Sequence, residues 1–163
     1  MPATYNGHPE TLVGLVHADS PNWIEVIAAF TGAPAAVWAT VATHEVFTVA
    51  GVCRVRMGVG VEADVDSAAH GATVTFGYAG APAAYIAATD EEALDAGEFW
   101  YDATPTTLED VYGNVVMDRV INGLDIGYEI AGEALDAGAL RFYCVWEPLT
   151  AGASVVVGPG TAL

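Results

Sequence analysis

"HEVFTVAGVCRVRMGVGV", His44 to Val61, is the stretch on which the fold turns. Phe47, Val49, Cys53, Val55, Met57, Val59 and Val61 share one parity, while His44, Thr48, Arg54 and Arg56 share the other. Side chains alternate faces along a strand but spiral along a helix, so a period of two means a half-buried strand, or two strands joined by a bend at Gly51. Cys53 then points inward, and Arg54 and Arg56 point outward. The "GVG" inside this run continues as strand and opens no helix, which excludes a nucleotide-phosphate loop.

Strand-like segments extend from this centre towards the C-terminus. "GATVTFGY" (71–78) and "AAYIAAT" (83–89) are split by the turn-rich "AGAP", and "EFWYD", "VVMDRVING", "DIGYEI" and "ALRFYCVWEP" follow at sandwich-like spacing. In the last of these, Leu140, Phe142, Cys144 and Trp146 share a face, so Cys144 joins Cys53 as a core candidate. "AGASVVVGPGTAL" reads as a tail. These segments predict an all-β chain, a β-sandwich for which a jelly roll is one form, spanning 36–163.

Residues 1–35 have a different texture. In "HADSPNWIEVIAAFTGAP", Ser20 stands where a helix cap would sit, Pro21 at the first turn, Trp23, Ile27 and Phe30 at helical spacing, and Gly32 where a helix would stop. The expectation is an N-terminal arm or short helix that packs on a neighbouring molecule through Trp23 and Phe30. A strand with coincidental spacing is the competing reading.

The hexapeptide "EALDAG" occurs twice, as Glu92–Gly97 and Glu133–Gly138. Each copy follows a predicted strand and precedes an aromatic-rich stretch, so one turn design is expected at two equivalent corners of the fold. Leu94 and Leu135 would plug the end of the core, and Gly97 and Gly138 would supply backbone freedom where the chain reverses. Two such corners also suggest two related β units facing one another.

Charge narrows the function classes. There are 21 acidic residues against four basic ones, a net charge of -17, and no lysine; the four are Arg54, Arg56, Arg119 and Arg141. Nothing here could neutralise a run of phosphates, so nucleic-acid binding is not expected. The mean hydropathy of +0.40 is high, yet no apolar run reaches the roughly 18 residues of a membrane helix. Apolar surface buried between copies, and hence a homo-oligomer, is the expectation. The N-terminus lacks the basic-then-apolar pattern of a secretory signal.

No residue set spells out a chemistry. Glu62, Asp64 and Asp66 alternate carboxylates that could hold calcium, but they lack the length and glycine placement of a dedicated loop. His8, His17, His44 and His70 are scattered, without metal-ligand spacing, and read as solvated or locally bonded. Cys53 and Cys144 lie on apolar parities, unlike exposed nucleophiles in electropositive pockets. With so many acids to choose from, no carboxylate pair stands out for acid–base work. Trp23, Trp38, Trp100 and Trp146, with Tyr101, Tyr112, Tyr128 and Tyr143, could form a glycan-stacking platform, although aromatics also dominate cores. Arg54 and Arg56 could anchor carboxylates of a neighbouring subunit or of their own chain. No catalytic, cofactor or metal residue is assigned, and an enzyme is not expected.

The stretches "GVCRVRM", "GATVTFGYAGAPAAYIAAT", "EALDAGEFWYDATP" and "EALDAGALRFYCVWEPL", ending in a Y-x-x-W-x-P-L strand, resemble those of small virion structural proteins of tailed bacteriophages and related archaeal viruses. The resemblance covers about residues 45 to 155 and leaves the N-terminal arm unmatched. It implies a capsid decoration or cement protein on the outer shell, with the major capsid protein or another virion protein as partner and the virion as location. A tail or spike component, or a glycan-binding module for host attachment, is the alternative. Candidate interface residues are Arg54, Arg56, Trp23 and Phe30.

Overall fold

The computed structural model describes residues 22–30, 36–105 and 117–160. Nine strands are present among them: β1 (Trp23–Ala29), β2 (Thr43–Ala50), β3 (Val52–Ser67), β4 (Thr73–Tyr78), β5 (Ala81–Asp90), β6 (Met117–Asn122), β7 (Ile126–Ala131), β8 (Leu135–Pro148) and β9 (Ser154–Val157). A four-residue helix, α1 (Ala36–Ala39), precedes β2, and a 3₁₀ turn (Glu91–Ala93) follows β5. No helix among the described residues is long and apolar enough to cross a membrane.

The strands form two antiparallel sheets, ordered β1-β8-β3-β6 and β5-β4-β7-β2-β9. The ladders β1·β8, β2·β7, β3·β6 and β4·β5 are those of a four-ladder hairpin rolled upon itself. That is the strand order of an eight-stranded jelly roll, with β9 added beside β2. The parity holds from Phe47 to Val61 on both sides of Gly51, but not before it: a register shift between Glu45 and Phe47 leaves His44, read as outward, buried together with Val46. β2 and β3 belong to different sheets, so Gly51 marks a crossing between layers. Phe47, Val49, Cys53, Val55, Met57, Val59 and Val61 are all buried.

The inner faces close on one aromatic core. Phe142 stacks on Tyr128 with centroids 5.4 Å apart and meets Phe76 at 5.2 Å. Trp100 is fully buried and its indole N–H donates to Thr89 Oγ1 at 2.9 Å, so the ring enters the core without an orphaned donor.

Three expectations are corrected. The helix read over Ser20–Gly32 is, where described, strand β1, which pairs with β8 from Trp23↔Val145 to Ala29↔Ala139. Val26, Ala28 and Phe30 are buried while Trp23 and Ile27 are exposed, a period of two, and β-branched Ile24, Val26 and Ile27 favour a strand once a partner edge is offered. Ser20 and Gly32 lie outside the described residues. The tail supplies β9, whose Phe47↔Val157 to Ala50↔Ser154 register adds a fifth strand. "EFWYD" forms only a bridge, Gly60↔Phe99, alongside β3.

The two hexapeptides do occupy equivalent corners. β5 and β7 belong to the five-stranded sheet, and after each the chain crosses to the side of β3 in the other sheet. The first copy flanks β3 through Val65 N–H to Leu94 O at 3.1 Å and Gly97 N–H to Val61 O at 2.9 Å. The second opens β8 on the opposite side, with Ala139↔Ala63 and Leu135↔Ser67 in register. The copies therefore clasp one strand end instead of marking two related sheets. Leu94 and Leu135 are both buried, as expected of plugs.

Candidate functional site

Two regions concentrate polar chemistry. The first is the outer face of the four-stranded sheet. Arg54 Nε and Nη2 donate to Asp118 Oδ1 and Oδ2 at 3.1 and 2.6 Å, and Arg56 Nε donates to Asp118 Oδ2 at 3.2 Å. β3 and β6 place them so, because Arg56 is the cross-strand partner of Asp118 and Arg54 lies two residues along the same face. The hydrogen bond and charge of Arg54 hold the Asp118 carboxyl below its ordinary range. Further along the face Arg141 pairs with Glu62 and, at 3.5 Å, with Glu25. Burial pushes the neighbouring Tyr143 hydroxyl up to about 12.

Trp23 and Ile27 on β1 and Val120 on β6 are exposed at 39%, 47% and 62%, and all share this outer face. The face is shallow. A depression bordered by Gly60, Glu62, Gly97, Phe99 and Tyr143 holds about 100 Å³, well short of the roughly 300 Å³ at which small-molecule pockets begin.

The second region is the sandwich end where the β3–β4 turn meets the hexapeptides. Asp66 is the last residue but one of β3, His70 sits in the turn with φ 53, Glu91 opens the 3₁₀ turn, and Glu133 lies before β8. His70 Nδ1 is 3.0 Å from Asp66 Oδ1 and 3.2 Å from Glu92 Oε1. Ser67 Oγ donates to Glu91 Oε1 at 2.7 Å, and Glu133 Oε2 accepts from Ala69 N–H at 3.0 Å. Glu92 and Glu133 are the first residues of the two hexapeptide copies, so the repeat brings one carboxylate to each flank of the same turn.

The residues singled out in the sequence are distributed as follows. Arg54 and Arg56 face outward together, beside Trp23 on the same sheet face. Phe30 does not join them: it is 3% exposed and packs edge-on to Tyr128 at 6.2 Å, because its parity on the β1 edge is the inner one. The alternating carboxylates separate. Register shifts between Val61 and Ser67 break the alternation, so Glu62 pairs with Arg141, Asp64 Oδ1 accepts from Ala96 N–H at 2.6 Å, and only Asp66 reaches the corner.

His44 is buried and locally bonded, its Nε2 2.8 Å from Thr40 O and its Nδ1 3.2 Å from Gly160 O. Both cysteines are buried, free and, by burial, less acidic than usual. Cys144 faces Met57 across the ladder, not Cys53. Of the aromatic set, Trp100, Tyr128 and Tyr143 are buried, and Trp38 and Trp146 pack against the core. His8, His17 and Tyr112 lie outside the described residues. No family model, curated protein or solved structure matches the chain.

Proposed function

We propose that the protein is a virion structural protein, a decoration or cement protein that binds the outer shell of a tailed virus. The carrying observation is the outer face of the four-stranded sheet: flat, crossed by the Arg54–Asp118–Arg56 ladder, and apolar at both edges through Trp23, Ile27 and Val120. Such a face suits contact with another protein surface, where an aromatic anchor and arginines contribute most of the binding energy. It offers little to a small substrate, since the depression described on it is too small to enclose one. The jelly roll itself is compatible with many functions and adds only that shell proteins commonly use it.

The resemblance of "TVTFG" and the final Y-x-x-W-x-P-L strand to tailed-virus structural proteins supports the same reading. Attachment through a glycan-stacking platform has less support, because most of the tryptophans point into or against the core. Co-sedimentation of the purified chain with empty shells of the virus that encodes it tests the proposal, with mass in solution measured alongside. Wild type should pellet with shells, and an Ile27→Asp variant with unchanged thermal midpoint should stay in the supernatant. Failure of wild type to pellet at any salt concentration overturns the reading.

A further inference from the structure

Every arginine has an engagement away from the β3–β4 corner: Arg54 and Arg56 with Asp118, Arg141 with Glu62 and Glu25, Arg119 over the Tyr85 ring. The chain has no lysine. Yet the corner gathers Asp66, Glu91, Glu92 and Glu133 around one serine hydroxyl and one imidazole. Glu91 is 0% exposed, and while its Oε1 accepts from Ser67, its Oε2 has no hydrogen-bond partner. Ser67 has one hydroxyl proton, so it cannot serve both Glu91 and Glu133, which lies 3.2 Å away. A buried carboxylate oxygen without donor or cation is strongly disfavoured.

Ligand atoms of Asp66, His70 and Glu91 all lie within 4.8 Å of one another. We infer that this corner is a binding site for a divalent transition-metal ion, held by Asp66, His70 and the orphaned oxygen of Glu91.

The distances fit. In a tetrahedral site with ligands about 2 Å from the metal, ligand atoms are roughly 3.3 Å apart. His70 Nδ1 already stands 3.0 Å from Asp66 Oδ1, and Glu91 lies within 4.8 Å of both, a gap that closing onto an ion would shorten. Ser67 holds Glu91 by its other oxygen, the part that an outer hydrogen-bond partner plays in fixing a metal-ligating carboxylate. The imidazole selects the metal class: calcium takes six to eight oxygen ligands, whereas mixed imidazole and carboxylate sets suit zinc and its first-row neighbours. The sequence conceals the site because its ligands come from the end of a strand, a turn and a 3₁₀ turn, which only the rolled topology brings together.

Titration calorimetry of the chelator-treated full chain with ZnCl₂, with CaCl₂ as a parallel arm, tests the inference. The expected result is one saturable Zn²⁺ per chain and a thermal midpoint that rises with Zn²⁺ concentration. Glu91→Gln and His70→Gly should each weaken Zn²⁺ binding by about a hundredfold, and Ser67→Ala by about tenfold. Glycine tolerates the positive φ at position 70, so His70→Gly remains informative even if the buried Glu91→Gln does not fold. Zn²⁺ binding that is unaltered in His70→Gly, or Ca²⁺ binding as tight as Zn²⁺, would overturn it. So would no Zn²⁺ uptake, which leaves His70 simply ion-paired with Asp66 and Glu92.

Discussion

The two copies of EALDAG are identical in sequence and different in shape. The first is a 3₁₀ turn followed by a loose turn, and the second enters strand β8 at its leucine. Three properties survive the change: the leucine is buried, the glycine has positive φ (+87 at Gly97, +103 at Gly138), and the leading glutamate reaches the β3–β4 turn. The difference lies in crowding. A Cβ on Gly97 would meet nothing within 4 Å, whereas one on Gly138 would stand 2.5 Å from Asp64 O and 2.6 Å from Val65 Cα. Identical residues thus fix what each corner must bury and where it must turn, and the neighbouring strand decides the backbone path.

The strongest test of that equivalence is to remove the plugs. Leu94→Ala and Leu135→Ala should each lower stability by about 2–5 kcal/mol, because each empties a sealed site at the end of the core. Chemical denaturation measures both, and a cost below about 1 kcal/mol at either leucine would show that the copies are not equivalent plugs. The glycines should split the pair instead. Gly138→Ala combines an unfavourable φ with a backbone clash and should cost about 2–4 kcal/mol. Gly97→Ala bears only the conformational term, about 1 kcal/mol. Equal losses in the two variants would remove crowding as the distinction.

The smallest effect concerns the charge on the sheet face, where carboxylate and arginine are matched, unlike the acidic corner. Asp118 and Arg54 are both more than a third exposed, so solvent screens them and Asp118→Asn should cost no more than about 1 kcal/mol. The folded pKa of Asp118 lies below its unfolded value. Its contribution is therefore complete above the ordinary carboxylate pKa of about 3.9 and is lost as pH falls through the lower, folded value. Denaturation of wild type and Asp118→Asn across that window should converge on the acid side, and a constant gap would detach the effect from ionisation.

The sandwich was legible in the sequence because burial on one face writes itself as alternation, which is clear from Phe47 to Val61 and from Leu140 to Trp146. β1 was not, since Trp23, Ile27 and Phe30 fit a helix stripe as well as an edge strand, and only the offered edge of β8 separates the two. The run Val155–Val157 carried a strand signal that its glycine-rich flanks masked. Arg54 and Arg56 are legible as outward-facing from their parity, whereas the alternating acids carry no sign of which of them reaches the corner. The corner that joins Asp66, His70 and Glu91 had one local trace, the paired glutamates of the repeat, but their meeting depends on two sheet crossings that no spacing rule encodes.

The rolled ladders also set an order of assembly. Innermost, β4 and β5 join through a tight turn, Tyr78↔Ala81, while outermost Trp23 pairs with Val145 across nearly the whole described chain. Each inner ladder shortens the loop that the next must close, and contacts this distant in sequence make for slow folding, on the millisecond-to-second scale of other β-sandwiches. β1 should therefore be the last strand added and the first released. Native-state hydrogen exchange should show amides of Ile24–Ala28 opening at lower free energy than those of Val74–Phe76. The strand that presents Trp23 and Ile27 to the outside is then also the one whose docking a bound partner would most stabilise.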